Sequence, residues 1–195
     1  SKDLRFLSML HSLKKKSLQN GFLHTFNQYY QEHAQQLKYS IEALKIINDS
    51  KEIKWFYDSD KGLLDLSGNK LKVLTPLRLL RINKLILGGA KLKLSTFDVL
   101  VAMPLKSLDI SYGAVQSLLF LQNSSIEELN IEGNPLTDLS PLKNTPIKII
   151  NIYKSSVEMD VLKTFLSLEK VICSAAQAAA LKNILTKQVA VEIKP

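Results

Sequence analysis

The sequence predicts an α/β solenoid, with a parallel sheet along one side and an N-terminal helical arm or cap. Three observations predict it. An apolar-x-apolar triplet recurs at Leu64-Asp-Leu66, Leu85-Ile-Leu87, Leu108-Asp-Ile110, Leu129-Asn-Ile131, Ile150-Asn-Ile152 and Val171-Ile-Cys173, about six repeats of 21–23 residues. Other aliphatic positions keep the same register: Leu71, Leu92, Val115, Leu136 and Val157 after the triplets, and Ile82, Leu105, Ile126, Ile147 and Leu168 before the next ones. Upstream, residues 22–48 carry apolar side chains at alternating spacings of three and four.

The triplets read as strands because side chains alternate along a strand, so both apolar residues of a triplet point to one side. A unit of this length cannot bury that side alone. Stacked units align their strands and share one core. Gly68-Asn69 and Gly133-Asn134 fall where the chain must turn after the strand. Glycine accepts positive φ there, and an asparagine amide can satisfy the backbone of the bend.

The remaining elements follow in chain order. Residues 3–19 predict a helix with Phe6, Met9, Leu10 and Leu13 on one face, and Asn20-Gly21 ends it. Residues 22–48 predict a long helix with a heptad seam of Leu23, Phe26, Tyr30, His33, Leu37, Ser40, Leu44 and Ile47. Two uses suit that seam: a helical hairpin covering the first repeat, or a homodimer through residues 22–48. Trp55-Phe-Tyr57 and Leu63-Leu-Asp-Leu66 flank a glycine-containing loop, a hairpin leading into the first repeat. Residues 95–103 and 157–167 predict short helices, whereas Pro76 and Pro141 predict tighter turns. Residues 175–185 predict an alanine-rich helix and Val189–Ile193 a final strand, together a C-terminal cap. The organisation is thus an arm or cap over 1–54 and a repeat domain over 55–195.

These residues resemble the leucine-rich-repeat family, whose core reads L-x-x-L-x-L-x-x-N. The short period and the steps Leu74-Thr-Pro76-Leu77 and Leu139-Ser-Pro141-Leu142 are similar to the internalin-type and phosphatase-regulator-type subclass. The resemblance covers about residues 63–174. Met103-Pro-Leu-Lys-Ser-Leu-Asp-Ile is also similar to the repeat tails of some bacterial serine/threonine kinases, although the chain carries no kinase motif. The resemblance implies a leucine-rich-repeat solenoid, its parallel sheet on the concave side and its short helices and turns on the convex side. It also implies a non-catalytic protein-protein interaction module. The asparagine position departs from the family pattern, being filled at Asn69 and Asn134 but held by Ala90, Gly113, Ser155 and Ala176 elsewhere. A continuous asparagine ladder is therefore absent, and some irregularity is expected.

Composition limits the chemistry. The net charge is +8, with the basic excess in residues 1–54 and 63–107, while residues 108–149 hold more acids than bases. A nucleic-acid track wants one continuous basic stripe, so this distribution argues for a protein partner instead. Cys173 is the single cysteine, which rules out an internal disulfide framework and reads as a small buried hydrophobe. Asn48-Asp-Ser and Asn123-Ser-Ser match the glycosylation pattern by chance, and a cytoplasmic location is expected. The sequence opens Ser-Lys-Asp, without an initiator Met, as an excised piece of a larger protein would; no segment is apolar enough to span a membrane. His11, His24 and His33 lack ligand spacing, and Asp58 and Asp60 start a calcium-loop pattern that does not continue. No metal, no cofactor and no catalytic residue is expected.

The candidate site is therefore a surface. Its central column runs Asp65, Ile86, Asp109, Asn130, Asn151, Ile172, and the column after it Ser67, Gly88, Ser111, Glu132, Tyr153, Ser174. From these and the preceding column we select Lys84, Ile86, Asp109, Glu128, Asn130, Glu132, Asn151 and Tyr153 as partner-binding. Lys70, Lys72, Lys91 and Lys93 follow the strands of two adjacent repeats and form a candidate basic edge. Lys14-Lys15-Lys16 reads as a solvated helix face.

Overall fold

The computed structural model describes residues 22–90, 97–185 and 188–195, with side chains from residue 34 onward. It divides into two compact units, Ser1–Ser40 and Ile41–Pro195. The helix predicted over residues 3–19 lies outside the described residues, as do Lys14-Lys15-Lys16 and His11.

One long helix, α1, spans Phe22–Ile47. The helix predicted over residues 22–48 therefore forms; of its heptad seam the side chains of Leu23, Phe26, Tyr30 and His33 lie outside the described residues, and the described part departs from the seam at its end. Leu37, Ser40, Ile41, Leu44 and the following Asn48 are buried, whereas Ile47 is exposed. Spacings of three, one, three and four follow the 3.6-residue turn of a straight helix, which moves the stripe off a strict heptad.

Among the described residues, eight strands form one sheet in the order of the chain. The hairpin pairs β1 (Phe56–Asp58) antiparallel with β2 (Leu63–Asp65). The remaining pairs are parallel: β3 (Lys84–Ile86), β4 (Ser107–Asp109), β5 (Glu128–Asn130), β6 (Ile149–Asn151), β7 (Lys170–Cys173) and β8 (Ala190–Ile193). The register aligns Leu64, Leu85, Leu108, Leu129, Ile150 and Val171, each at most 2% exposed. Leu66, Leu87, Ile110, Ile131, Ile152 and Cys173 form the second buried column. The two apolar residues of every triplet thus stand where strand alternation puts them.

Each strand returns through a short connection. Pro76 and Pro141 open 3-10 turns at Thr75–Leu77 and Ser140–Leu142. Proline fits there because its φ is preset and the first N–H of such a turn has no internal partner. The second repeat uses a four-residue helix, α2 (Asp98–Val101), and its Phe97 stacks on Phe120 at 4.6 Å. Residues 159–164 form a 3-10 helix. The alanine-rich helix is α3 (Ala175–Ile184), started by a capping box in which Ser174 and Gln177 bond each other's backbone N–H.

Strand β8 continues the sheet with apolar residues in both core columns, Val191 beside Val171 and Ile193 beside Cys173. Yet Val191 is 39% exposed and Ile193 56%. Those two side chains gain little from burial.

Candidate functional site

The strand register brings the sequence-selected residues onto the open face of the sheet, opposite the core. Asp65, Ile86, Asp109, Asn130, Asn151 and Ile172 stand side by side in one column, with Glu192 next to Ile172. Leu63, Lys84, Ser107, Glu128, Ile149 and Lys170 form the column before it. Ile86, Asp109, Asn130, Tyr153, Ile149 and Ile172 are half-buried.

The polar members of the central column have a local task. A side-chain oxygen of Asp65, Asp109, Asn130 and Asn151 accepts the backbone N–H two residues on, from Ser67, Ser111, Glu132 and Tyr153, at 2.8–3.1 Å. Each closes the bend where strand becomes turn, as Asx turns do. Ile86 and Ile172 have no such acceptor and present hydrocarbon instead.

Two hydrogen-bonded groups occupy the rest of the face. In the first, Asp109 accepts from the Asn130 amide at 2.7 Å and from the Ser111 hydroxyl at 2.7 Å. The second centres on Glu132, which is 8% exposed. It accepts from the Tyr112 hydroxyl at 2.7 Å and the Asn151 amide at 2.9 Å, and it pairs with the Lys194 ammonium. Burial alone raises the Glu132 carboxyl, but Lys194, Tyr112 and Asn151 together hold it below the usual range. Tyr112 is raised in turn, first by its bond to the carboxylate and then by burial. Asn151, expected to face a partner, is only 6% exposed and serves Glu132 and the bend.

Tyr153 stands beside this group. Its hydroxyl donates to the Pro195 carbonyl, while the ammonium groups of Lys154 and Lys194 lie 5.0 and 5.7 Å from its ring centre. Nearer the strand starts, Glu128 pairs with Lys84 at 3.5 Å and accepts from Ser107 at 2.9 Å.

Four residues after the first apolar residue of the triplet, the chain takes positive φ in the first five repeats. Gly68, Gly89 and Gly133 do so at +70°, +77° and +66°, but Tyr112 and Lys154 do so at 52° and 55°. A side chain there costs about 1 kcal/mol. Both non-glycine residues sit at the Glu132–Tyr153 group. Gly133 makes room for one of them: a Cβ on it would come within 2.4 Å of the Tyr112 ring.

Other expectations fall elsewhere. Lys70 and Lys72 are exposed, and the Lys72 N–H donates to Asn48. Lys91 and Lys93 lie outside the described residues, so the shared basic edge does too. Cys173 is fully buried, and burial pushes its thiol up, away from nucleophilic chemistry. Asn48 is 8% exposed with its amide bonded to the Leu44 and Val73 carbonyls. No group of three metal-ligating side chains occurs among the described residues, and no helix among them is long and apolar enough to cross a membrane.

Sequence reasoning missed Tyr112, Lys194 and a row of charges before the strands. Tyr112 was visible as the aromatic residue in a glycine position. Lys106, Glu127 and Lys148 recur at one repeat length, and the Glu127 carboxylate bridges both lysines at 2.8 and 2.6 Å. Lys194 gave no signal, because its reach to Glu132 spans three strand positions.

No protein-family model matches the chain, and no curated protein matches it. Two solved structures from Listeria monocytogenes str. 4b F2365 are similar to it. An internalin C2 shares 25% identity over 61% of this chain and 57% of its own length, with a TM-score of 0.48. An internalin designated inlF shares 17% identity over 80% of this chain and 56% of its own, with a TM-score of 0.46. The chain spans less than two thirds of either. Its own strands, parallel and in register from β2 to β7 with two buried apolar columns, form a leucine-rich-repeat solenoid.

Proposed function

We propose that the chain is a non-catalytic protein-interaction module that binds its partner through the concave, open face of the sheet. The contact residues are Lys84, Ile86, Asp109, Glu128, Asn130, Glu132 and Tyr153, with Asn151 orienting Glu132. One observation carries this reading. Tyr112 and Lys154 keep side chains at left-handed positions that glycine fills elsewhere, and both direct them to the Glu132–Tyr153 group. Backbone strain of that kind persists where a site repays it. Half-buried isoleucine and tyrosine among polar neighbours also match the make-up of protein-binding surfaces. We place the module in the cytoplasm, where a single buried thiol such as Cys173 stays reduced.

The test is capture of a cross-linked or co-purified partner by the wild-type chain and by Asp109→Ala/Tyr153→Ala. Loss of roughly tenfold or more in capture is expected, with circular dichroism unchanged. Undiminished capture would reject this face.

A second reading has its own support: assembly through α1. Ile46 and Ile47 at its end are 61% and 38% exposed. A homodimer by light scattering that Ile46→Asp converts to monomer supports assembly, and a monomeric wild-type chain rejects it.

A further inference from the structure

Strand β8 is held differently from its neighbours. All four of its residues are exposed, including the two in core columns. It pairs with β7 along one edge, and polar contacts on the open face anchor its end. Lys170 pairs with Glu192, Lys194 pairs with Glu132, and the Tyr153 hydroxyl donates to the Pro195 carbonyl. The lysine crosses Ser174 and Tyr153 in its own column to reach the carboxylate, passing over the tyrosine ring. Lys194 and Pro195 therefore fill the group of residues that the proposed function assigns to a partner.

From this we infer that the Glu132–Tyr153 group is a lysine-reading subsite, and that Lys194–Pro195 occupies it as a pseudo-ligand. The partner is an extended peptide segment carrying a lysine followed by a residue whose carbonyl can accept from Tyr153. The chemistry is complementary at each point. A carboxylate that also accepts from Tyr112 and Asn151 meets the ammonium, and an aromatic face meets the same cation. A phenol donor then reads the next carbonyl. This inference rests on the interaction-module reading and names its partner's chemistry.

Tethering gives β8 a high effective concentration, so a free peptide competes poorly against the intact latch. Removing the Lys194 side chain should release the subsite. The probe is acetyl-Ala-Val-Glu-Ile-Lys-Pro-amide, which copies residues 190–195, measured by fluorescence anisotropy against the full chain. Lys194→Ala should bind it about fivefold more tightly than wild type, the size expected for one partly exposed ion pair. Adding Glu132→Gln should cancel that gain, and a probe with alanine for lysine should show none. Equal affinity for wild type and Lys194→Ala overturns the inference. So does a lysine-free probe that gains as much, or the absence of binding to either chain. If the probe fails while Asp109→Ala/Tyr153→Ala still loses its protein partner, the lysine subsite falls and the interaction face stands.

Discussion

Asn134 fastens two repeats with one side chain. It is 2% exposed; its amide donates to the Ile110 and Ile131 carbonyls, and its oxygen accepts from the Val115 N–H. Replacement by alanine would leave buried backbone groups without partners, at a cost of about 2 kcal/mol. Where the asparagine is missing, other residues take up part of the task. The Ser155 hydroxyl donates to the Ile131 carbonyl, and the Gln177 amide donates to the carbonyls of Ile152 and Ser155. This explains why the broken asparagine pattern coexists with an unbroken strand register. Chemical denaturation should rank Asn134→Ala well below Ser155→Ala, which loses one such bond, about 1 kcal/mol. Equal midpoints would mean that the repeats do not depend on this ladder.

Among the elements, β7 and β8 carry the same alternation but differ in what it is worth. Val171 is fully buried and Val191 is not, although they are neighbours in register. Truncating Val171 to alanine should cost about 2 kcal/mol, from lost transfer and the cavity left behind. Val191→Ala should cost under about 0.5 kcal/mol. Thermal melts of the two variants check this, and a comparable loss at both would show that β8 is packed in solution. At the other end, Asn48 is tied to the first repeat, its oxygen accepting the N–H groups of Lys72 and Val73 at 2.6 and 2.8 Å. Asn48→Ala should lower the melting temperature as Asn134→Ala does, by about 2 kcal/mol of stability.

At the scale of the whole repeat unit, much was legible in advance. The triplet spacing alone determines the strand register, because only one alignment buries both apolar columns. The polar residues of the open face were readable for the same reason: they stand between the buried ones. Their local bonds were not. That Asn151 would turn inward to Glu132, or Lys194 cross the sheet, depends on side-chain reach across strands, which no spacing encodes. Long-range charge pairing lies between these cases. Glu127 sits between Lys106 and Lys148, hydrogen-bonded to both, and its pKa is lowered to about 2 from 4.5. The folded state therefore holds fewer protons than the unfolded chain between those values, so its stability falls as the pH drops through them. The stability gap between wild type and Glu127→Gln should be fullest above pH 4.5 and should close towards pH 2. A gap unchanged over that range in acid titrations would show that the bridge contributes nothing.

That row of charges also restricts how the chain can grow or shrink. Lys106, Glu127, Lys148 and Glu169 alternate in sign from one repeat to the next, and Glu169 adds to the hold on Lys148 through its charge alone, less than Glu127 does. Excising residues 107–127 would set Lys106 beside Lys148, like against like. Excising residues 107–148 would set Lys106 beside Glu169, and the alternation would survive. In this stretch repeats are therefore exchangeable in pairs rather than singly, a parity rule that any duplication, deletion or engineered splice would have to respect.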